Sequence, residues 1–521
     1  MNTTTFVRSG RSLRTLRPLR GHRLALFAAT LAAACSFPSG TARAEQLLGG
    51  AAKVDITNVE AGPVNDPLYV KALVLKSGDT TVAIITVDAV AIGEIGYIGN
   101  EYLPTVRARL ERELNIPAAN VVVNASHCHG VVCADVAERT VEAVRQAAEN
   151  LVPVKVGVGA GHEDRIMENR RLKLRDGTEL DVRHAYSLPP DEEVAEVGPV
   201  DPEIGLLRLD RLDGRTLAVV YNFACHPIQG VPSGGNTADV TGFASQVIED
   251  NLSEGTIALF LQGCGGDINP VLYKDVNNPR NAETLGNMLG LSALKGLRGV
   301  QTAEDGRLIV RNQTIELPRA DVGERIIDLE AERERLLRSL QGTSLNLKTF
   351  LPLVVKYNLD DEFPSYYSHR YLRDDAMGRD DLRRLDAENR RNIDQYIQNI
   401  YTMEQLTRLQ TNLDLLRMHQ EDNLEAPKRT IDVEVVGLRI GEFVLVTFPG
   451  ELTVRIGLGI KERSPHERTF VAGYTNGYIY YAPTAEQLLN VGRAQEDSDC
   501  ILAPPWQDIY EAKVAELLEG L

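Results

Sequence analysis

Three short apolar runs in this chain each finish in a chemically reactive segment, and that pairing constrains the fold more than any other feature. Residues 120–124 lead into Ser126-His127-Cys128-His129-Gly130. Residues 216–222 lead into Phe223-Ala224-Cys225-His226-Pro227, and residues 256–262 into Gly263-Cys264-Gly265-Gly266-Asp267-Ile268-Asn269-Pro270. Runs of this length, rich in branched and aromatic side chains, read as buried strands. The carboxyl ends of such strands are where α/β folds hold their ligands.

The neighbouring segments complete the pattern. Residues 70–76, 81–88, 206–209, 431–438 and 443–448 also read as strands. Residues 101–114, 136–150, 242–251 and 281–295 carry helical periodicity. The expected fold class is therefore α/β, a mixed β-sheet core flanked by helices. Residues 321–340 and 387–418 are long, charged and heptad-tinged, and the stretch between them holds Pro352, Pro364 and several tyrosines. This predicts a long helical insertion over about 320–425, packed as a hairpin on a single domain of residues 45–521. A homodimer arm or a lid over the site are the alternatives.

Charge is distributed unevenly. The whole chain has 56 Lys+Arg against 73 Asp+Glu, a net charge of −17. Residues 1–44 hold seven arginines and no acid, so the remainder carries 49 bases, 73 acids and a net charge of −24. Such a body is expected to repel nucleic acid and anionic membrane surfaces and to favour neutral or cationic small substrates. The arginine-rich start, the apolar run from Leu24 to Cys35 and the Ala42-Arg43-Ala44 site together predict an export signal over 1–44, with Glu45 as mature start. A lipid anchor on Cys35 and a twin-arginine signal are poorer fits, because Ala32-Ala33-Ala34 and the spaced arginines suit neither. The expected location is periplasmic or secreted. No transmembrane segment is expected, since the apolar run is too short to span a bilayer. Export permits disulfides, but the five remaining cysteines (Cys128, Cys133, Cys225, Cys264 and Cys500) are odd in number and too few for a disulfide framework.

The reactive segments suggest a shared site. In extended backbone, His127 and His129 project to one face and Cys128 to the other. Cys225 alternates away from His226 in the same way, which argues for packing cysteines rather than thiolate ligands. Three histidines at strand ends suit metal ligation, although paired histidines also serve as ordinary polar residues. The loop of Gly265, Gly266 and Asp267 exposes backbone N–H groups and so reads as a substrate-binding or oxyanion loop, or as a tight turn.

Taken in order, six segments resemble the neutral ceramidase superfamily, the non-lysosomal type that hydrolyses N-acyl sphingosines. They are the H-x-H segment at His127, Asn169-Arg170, the Asn-Phe-Ala-x-His run to His226, the Gly-Asp-x-x-Pro loop at Asp267, Phe448-Pro449-Gly450-Glu451, and Asn476-Gly477-Tyr478-Ile479-Tyr480-Tyr481. The resemblance implies one zinc per chain held by His127, His226, Glu451 and Tyr481, with an open position for water or substrate. It also implies that His129 and Arg170 bind the carbonyl oxygen and its developing charge. The expected reaction is hydrolysis of an amide bond in a small-molecule or lipid acyl amide.

Two positions depart from the family. Its catalytic serine, just before the loop proline, is Asn269 here, which can orient a group by hydrogen bonding but cannot act as nucleophile. Its tyrosine about a dozen residues after the zinc tyrosine aligns with Arg493. The family's C-terminal immunoglobulin-like domain is also not expected. An esterase or lactonase of the same fold, and an exported zinc- or ligand-binding protein without turnover, are the competing readings.

Overall fold

The computed structural model describes residues 46–182, 189, 191–230, 235–271, 273, 281–364, 367–490 and 494–521. The expected export signal and Arg493 lie outside these residues.

Alternation of apolar side chains builds the architecture. The larger sheet has eight strands in the order β12-β11-β10-β5-β1-β2-β3-β4. These are β1 (Leu48–Asp55), β2 (Tyr69–Ser77), β3 (Thr80–Val87), β4 (Val121–Ala125), β5 (Val152–His162), β10 (Glu203–Arg211), β11 (Thr216–Phe223) and β12 (Ile257–Gln262). The small strands β6 (Met167–Asn169), β7 (Arg171–Leu174), β8 (Glu179–Asp181) and β9 (Val194–Val197) lie between β5 and β10 in the chain. Pairs β3–β4 and β11–β12 are parallel and the other pairs antiparallel, so the sheet is mixed. Ala72 and Val74 face a core shared with helices α1 (Tyr102–Leu114) and α2 (Val136–Glu149). Their neighbours Leu73 and Leu75 face the opposite way, against a second sheet. Toward β12, helices α3 (Asp239–Asp250) and α4 (Ala282–Leu297) cover the first face. They pack closely because Gly286 has no side chain: a Cβ there would lie 2.7 Å from the Val240 carbonyl oxygen.

Strand β13 (Ile268–Pro270) pairs with β6. The second sheet runs β14-β15-β16-β18, made of β14 (Leu308–Pro318), β15 (Thr430–Ile440), β16 (Phe443–Thr447) and β18 (Thr469–Ala472). Its outer face is covered by α9 (Val454–Arg463) and a C-terminal helix, Trp506–Glu519, which bury Ile456, Trp506 and Tyr510. The layers are thus helix, sheet, sheet, helix. The expected α/β class with a mixed sheet is what the chain adopts.

Between β14 and β15 stand α5 (Gly323–Ser339), α6 (Leu347–Leu359), α7 (Ser368–Ala376) and the 45-residue α8 (Asp381–Glu425). Leu329 and Leu336 of α5 pack on Leu406, Leu409, Leu413 and Leu416 of α8. Polar contacts fasten this hairpin to the body: Arg408 to Asp181 (2.8 Å), His419 to Asp499 (2.9 Å) and Asn423 to the Ile501 carbonyl (3.0 Å). No helix among the described residues is long and apolar enough to cross a membrane.

Candidate metal centre

Five strands, β4, β11, β12, β16 and β18, deliver their carboxyl ends to one place. Two buried asparagines stitch those ends together. Asn124 accepts from the Gln262 N–H and donates to the Gly473 carbonyl, while Asn222 donates to the carbonyls of Leu261 and Val471.

After β4 the backbone turns instead of continuing. The N–H groups of Ser126 and His127 donate to the carbonyls of Val87 and Ala89, and His127 adopts φ 66°. That left-handed residue removes the extended geometry behind the expectation of two imidazoles on one strand face. His127 is buried and His129 exposed, with their rings edge-on at 5.5 Å. Cys128 packs in the apolar core behind, and Cys225 does the same beside His226. Left-handed non-glycine residues are uncommon and concentrate at functional sites. His127 and Tyr474, two such residues, stand together at this one.

Glu451 opens β17 (Glu451–Leu452), which pairs in parallel with β19 (Tyr481–Ala482) and sets Glu451 opposite Tyr481. Its carboxylate lies 3.6 Å from His127 Nε2 and 3.1 Å from His226 Nε2. The Tyr481 hydroxyl lies 3.5 Å from His226 Nε2. One ligand atom each from His127, His226 and Glu451 falls within 4.8 Å of the others, and all three residues are buried. His127 Nδ1 sits 2.6 Å from the Val90 carbonyl and His226 Nδ1 3.0 Å from the Ile268 carbonyl. A carbonyl can only accept, so each Nδ1 carries the proton.

Burial pulls the His127 imidazole down to about 4 despite the nearby Glu451 charge, so it is neutral at ordinary pH. Burial pushes the Glu451 carboxyl up, but the hydrogen bond and charge of His226 and the hydrogen bond of Tyr478 outweigh it and hold the group well below the usual carboxylate range. A neutral His127 with Nδ1–H committed offers Glu451 only a lone pair. Acceptors that converge in a buried place repel one another unless a cation lies between them. The donor set therefore fits a divalent metal such as zinc.

Arg170, between β6 and β7, is fully buried beside this cluster. Its Nε donates to Glu496 (2.6 Å), Nη1 to Asn269 Oδ1 (3.0 Å), and Nη2 to the Tyr481 hydroxyl (3.2 Å) and the Gly266 carbonyl. Arg171 points the other way, to Asp497 (2.7 Å) and Glu179 (2.6 Å). Within the glycine loop, the Gly265 N–H donates to the Gly263 carbonyl and the Gly266 N–H to the Leu452 carbonyl. Asp267 accepts from the Val454 N–H at the start of α9 (2.8 Å) and from Asn169 (3.1 Å). Gly266 is needed for close approach, since a Cβ would lie 2.6 Å from the Glu451 carbonyl oxygen.

This arrangement of layers and strand ends matches solved ceramidase structures. One, a ceramidase complexed with C2, superposes with a TM-score of 0.58 and 16% identity over 91% of this chain and 75% of that one. The crystal structure of neutral ceramidase from Pseudomonas aeruginosa gives the same score and identity over 92% of this chain and 75% of that one. The chain has the neutral ceramidase fold. Neither family models nor curated proteins match its sequence.

Within the ceramidase fold, His127, His226, Glu451, Tyr481, Arg170 and Asn269 come together, and His129 stands at the exposed edge. Gly265, Gly266 and Asp267 adjoin them, but the Gly265 N–H is engaged within the loop, the Gly266 N–H with β17 and the Asp267 carboxylate with α9. Three further residues belong to the site. The hydroxyls of Tyr474 and Tyr478 donate to Glu451 at 3.1 and 2.6 Å. Burial first, then the Glu451 charge, raises both phenols well above their ordinary range, so both remain donors. Glu496 is the third, through Arg170. Tyr478 stands in the segment 476–481, where nothing in the spacing tells ligands from supports, and Tyr474 lies before that segment, outside every motif read from the sequence. Glu496 lies far along the chain from Arg170 and left no signal.

Proposed function

We propose that this chain is an exported, zinc-dependent hydrolase of a carbon–nitrogen amide bond, acting on an N-acyl sphingosine or a related acyl amide. The observation carrying this reading is the convergence of two imidazoles, each with Nδ1–H held by a backbone carbonyl, on the Glu451 carboxylate within a ceramidase fold.

His127, His226, Glu451 and Tyr481 would hold the metal, which when bound supplies Lewis acidity and an activated water. The Val90 and Ile268 carbonyls fix the imidazole tautomers and ring orientations. Tyr474 and Tyr478 hold the Glu451 carboxylate between them. Arg170, its Nε fixed by Glu496, keeps a positive charge at Tyr481 and Asn269, where it favours negative charge developing on a substrate oxygen. Asn269 turns Oδ1 to Arg170, which leaves its NH2 as the end that can orient substrate or water. His129 stands at the mouth, within reach of an entering carbonyl.

Asn269, where the family has serine, favours one competing reading, a zinc- or ligand-binding protein without turnover. A hydrolysis screen on zinc-loaded protein, covering N-acyl lipids, acyl-amino acids and simple esters, tests the proposal. Release of amine from an acyl amide is expected. Turnover of esters alone would make it an esterase, and no turnover even in a single-turnover assay would leave binding only. Export is checked separately by N-terminal sequencing of the mature protein, expected to begin at Glu45.

A further inference from the structure

Helix α6 is apolar over most of its circumference, apart from Lys348, Thr349, Lys356 and Asn358, but is covered on one side only. Phe350 and Tyr357 are buried against Ile393 of α8, with Tyr396 and Ile397 alongside. On the outer side Leu347, Leu351, Val355 and Leu359 are 59%, 52%, 56% and 81% exposed. Residues four apart lie on one face of a helix, so these four form a continuous stripe about 18 Å long. A contiguous apolar stripe left in water marks a contact surface.

The charge around the stripe identifies what covers it. Helix α6 itself carries no acid and two bases, Lys348 and Lys356, whereas Arg335 and Arg338 before it pair with Glu332 and Glu334, and Asp360, Asp361 and Glu362 follow it. Over residues 335–400 bases and acids nearly balance, eleven against ten, whereas the whole chain carries −17. Ile393 lies about 22 Å along α8 from Arg408, the nearest of the contacts with the body named above. That is nearly three times the Debye length of about 8 Å, so the body's acidity is largely screened at the stripe. A two-fold dimer through this face would bring Lys348 and Lys356 of both copies into one interface, because a symmetric interface uses the same patch of each partner. Apolar residues flanked by lysines instead suit the interface of a bilayer with anionic headgroups.

We propose that the outer face of α6 docks this protein on a lipid bilayer, with Leu347, Leu351, Val355 and Leu359 entering the headgroup–acyl boundary and Lys348 and Lys356 meeting lipid phosphates. The proposal does not depend on the zinc hydrolase reading. Its test is co-sedimentation of the full mature protein with vesicles of phosphatidylcholine, with and without phosphatidylglycerol. Binding is expected to both and to be stronger with the anionic lipid. The double substitution Leu351→Glu/Val355→Glu is expected to lower partitioning about tenfold or more while circular dichroism and the thermal midpoint stay unchanged. Leu347→Glu/Leu359→Glu, at the two ends of the stripe, serves as a second variant in case the first misfolds. Lys348→Gln/Lys356→Gln is expected to remove the preference for anionic vesicles. Absence of vesicle binding, or binding that both glutamate variants retain, would overturn the proposal. So would a dimer in sedimentation equilibrium without lipid that Leu351→Glu/Val355→Glu dissociates, which would make the stripe a self-interface.

Discussion

At the strand ends charged and polar side chains are enclosed in apolar surroundings; on α6 apolar side chains stand in water on a scaffold of charged helices. Each departs from the usual partition of residues, in opposite directions. Around Glu451 the enclosed groups are matched, imidazole N–H to carbonyl, phenol to carboxylate and guanidinium to carboxylate, save where the His127 lone pair faces the Glu451 carboxylate. On α6 nothing matches Leu347, Leu351 or Val355 within the described residues. Matched burial is what a site needs to hold reacting groups still, and unmatched exposure is what a surface needs to gain by contact.

The comparison is broken most directly at the metal. His226→Ala removes one of two imidazoles from the cluster. Wild-type protein loaded with zinc is expected to retain about one ion per chain after gel filtration, and the variant close to none, read by elemental analysis. A wild type that holds no zinc after loading would end the metal reading.

The next effect concerns ion pairs in the two regions. Glu496 pairs with Arg170 at 2.6 Å and with Arg171 at 3.4 Å, and none of the three side chains is more than 3% exposed. Glu496→Gln removes the charge both arginines face. Breaking a buried pair from one side costs about 3–5 kcal/mol, which urea unfolding would register. Arg390 and Asp361, in the arm, are 3.1 Å apart with side chains 38% and 89% exposed. Asp361→Asn is expected to leave the urea midpoint where it was, because solvent screens the pair. Equal losses from the two substitutions would show that the site is no more matched than the arm.

Smaller again is the effect at Asn269. Asn269→Ala is expected to keep zinc and slow turnover about tenfold to a hundredfold, the weight of one positioning hydrogen bond of roughly 1–3 kcal/mol. Asn269→Ser installs the serine of the neutral ceramidase pattern; a large gain in ceramide hydrolysis would mark this chain as tuned to another substrate. A zinc-replete Asn269→Ala variant as inert as His226→Ala would place Asn269 among the indispensable groups.

What the sequence displayed and what it hid follow one line. Strands β4, β11, β12 and β16 were legible because every residue in them is buried, which leaves an unbroken apolar run. Strands β1 and β5 were not, because glycines interrupt them. A Cβ on Gly50 would lie 2.0 Å from the Ala147 carbonyl oxygen, and one on Gly157 2.8 Å from that of Gln301, so close packing removed the side chains that signal a strand. His127, His226 and the loop at Asp267 could be found because each directly follows a legible strand. Glu451 and Tyr481 entered only through the family resemblance, since Pro449-Gly450-Glu451 reads as a turn. Partners such as Glu496 are fixed by folding between distant segments, and no local pattern records that.

The smallest expected effect lies on the arm and tests the contrast within one helix. Leu351→Ala shortens a side chain that is half exposed and makes no part of the buried cluster under α6. Leucine to alanine in a core costs about 2–5 kcal/mol, because contacts vanish and a cavity remains. At Leu351 solvent already occupies the outer side, so the change should stay within about 0.5 kcal/mol. The same experiment on its neighbour gives the scale: Phe350 is 8% exposed and packs on Tyr396 at 4.4 Å, and Phe350→Ala should unfold at clearly lower urea. If Leu351→Ala costs as much as Phe350→Ala in dilute monomeric protein, the stripe is covered by the chain itself. The outer face of α6 would then be part of the folded core, and the opposition between the two regions would disappear.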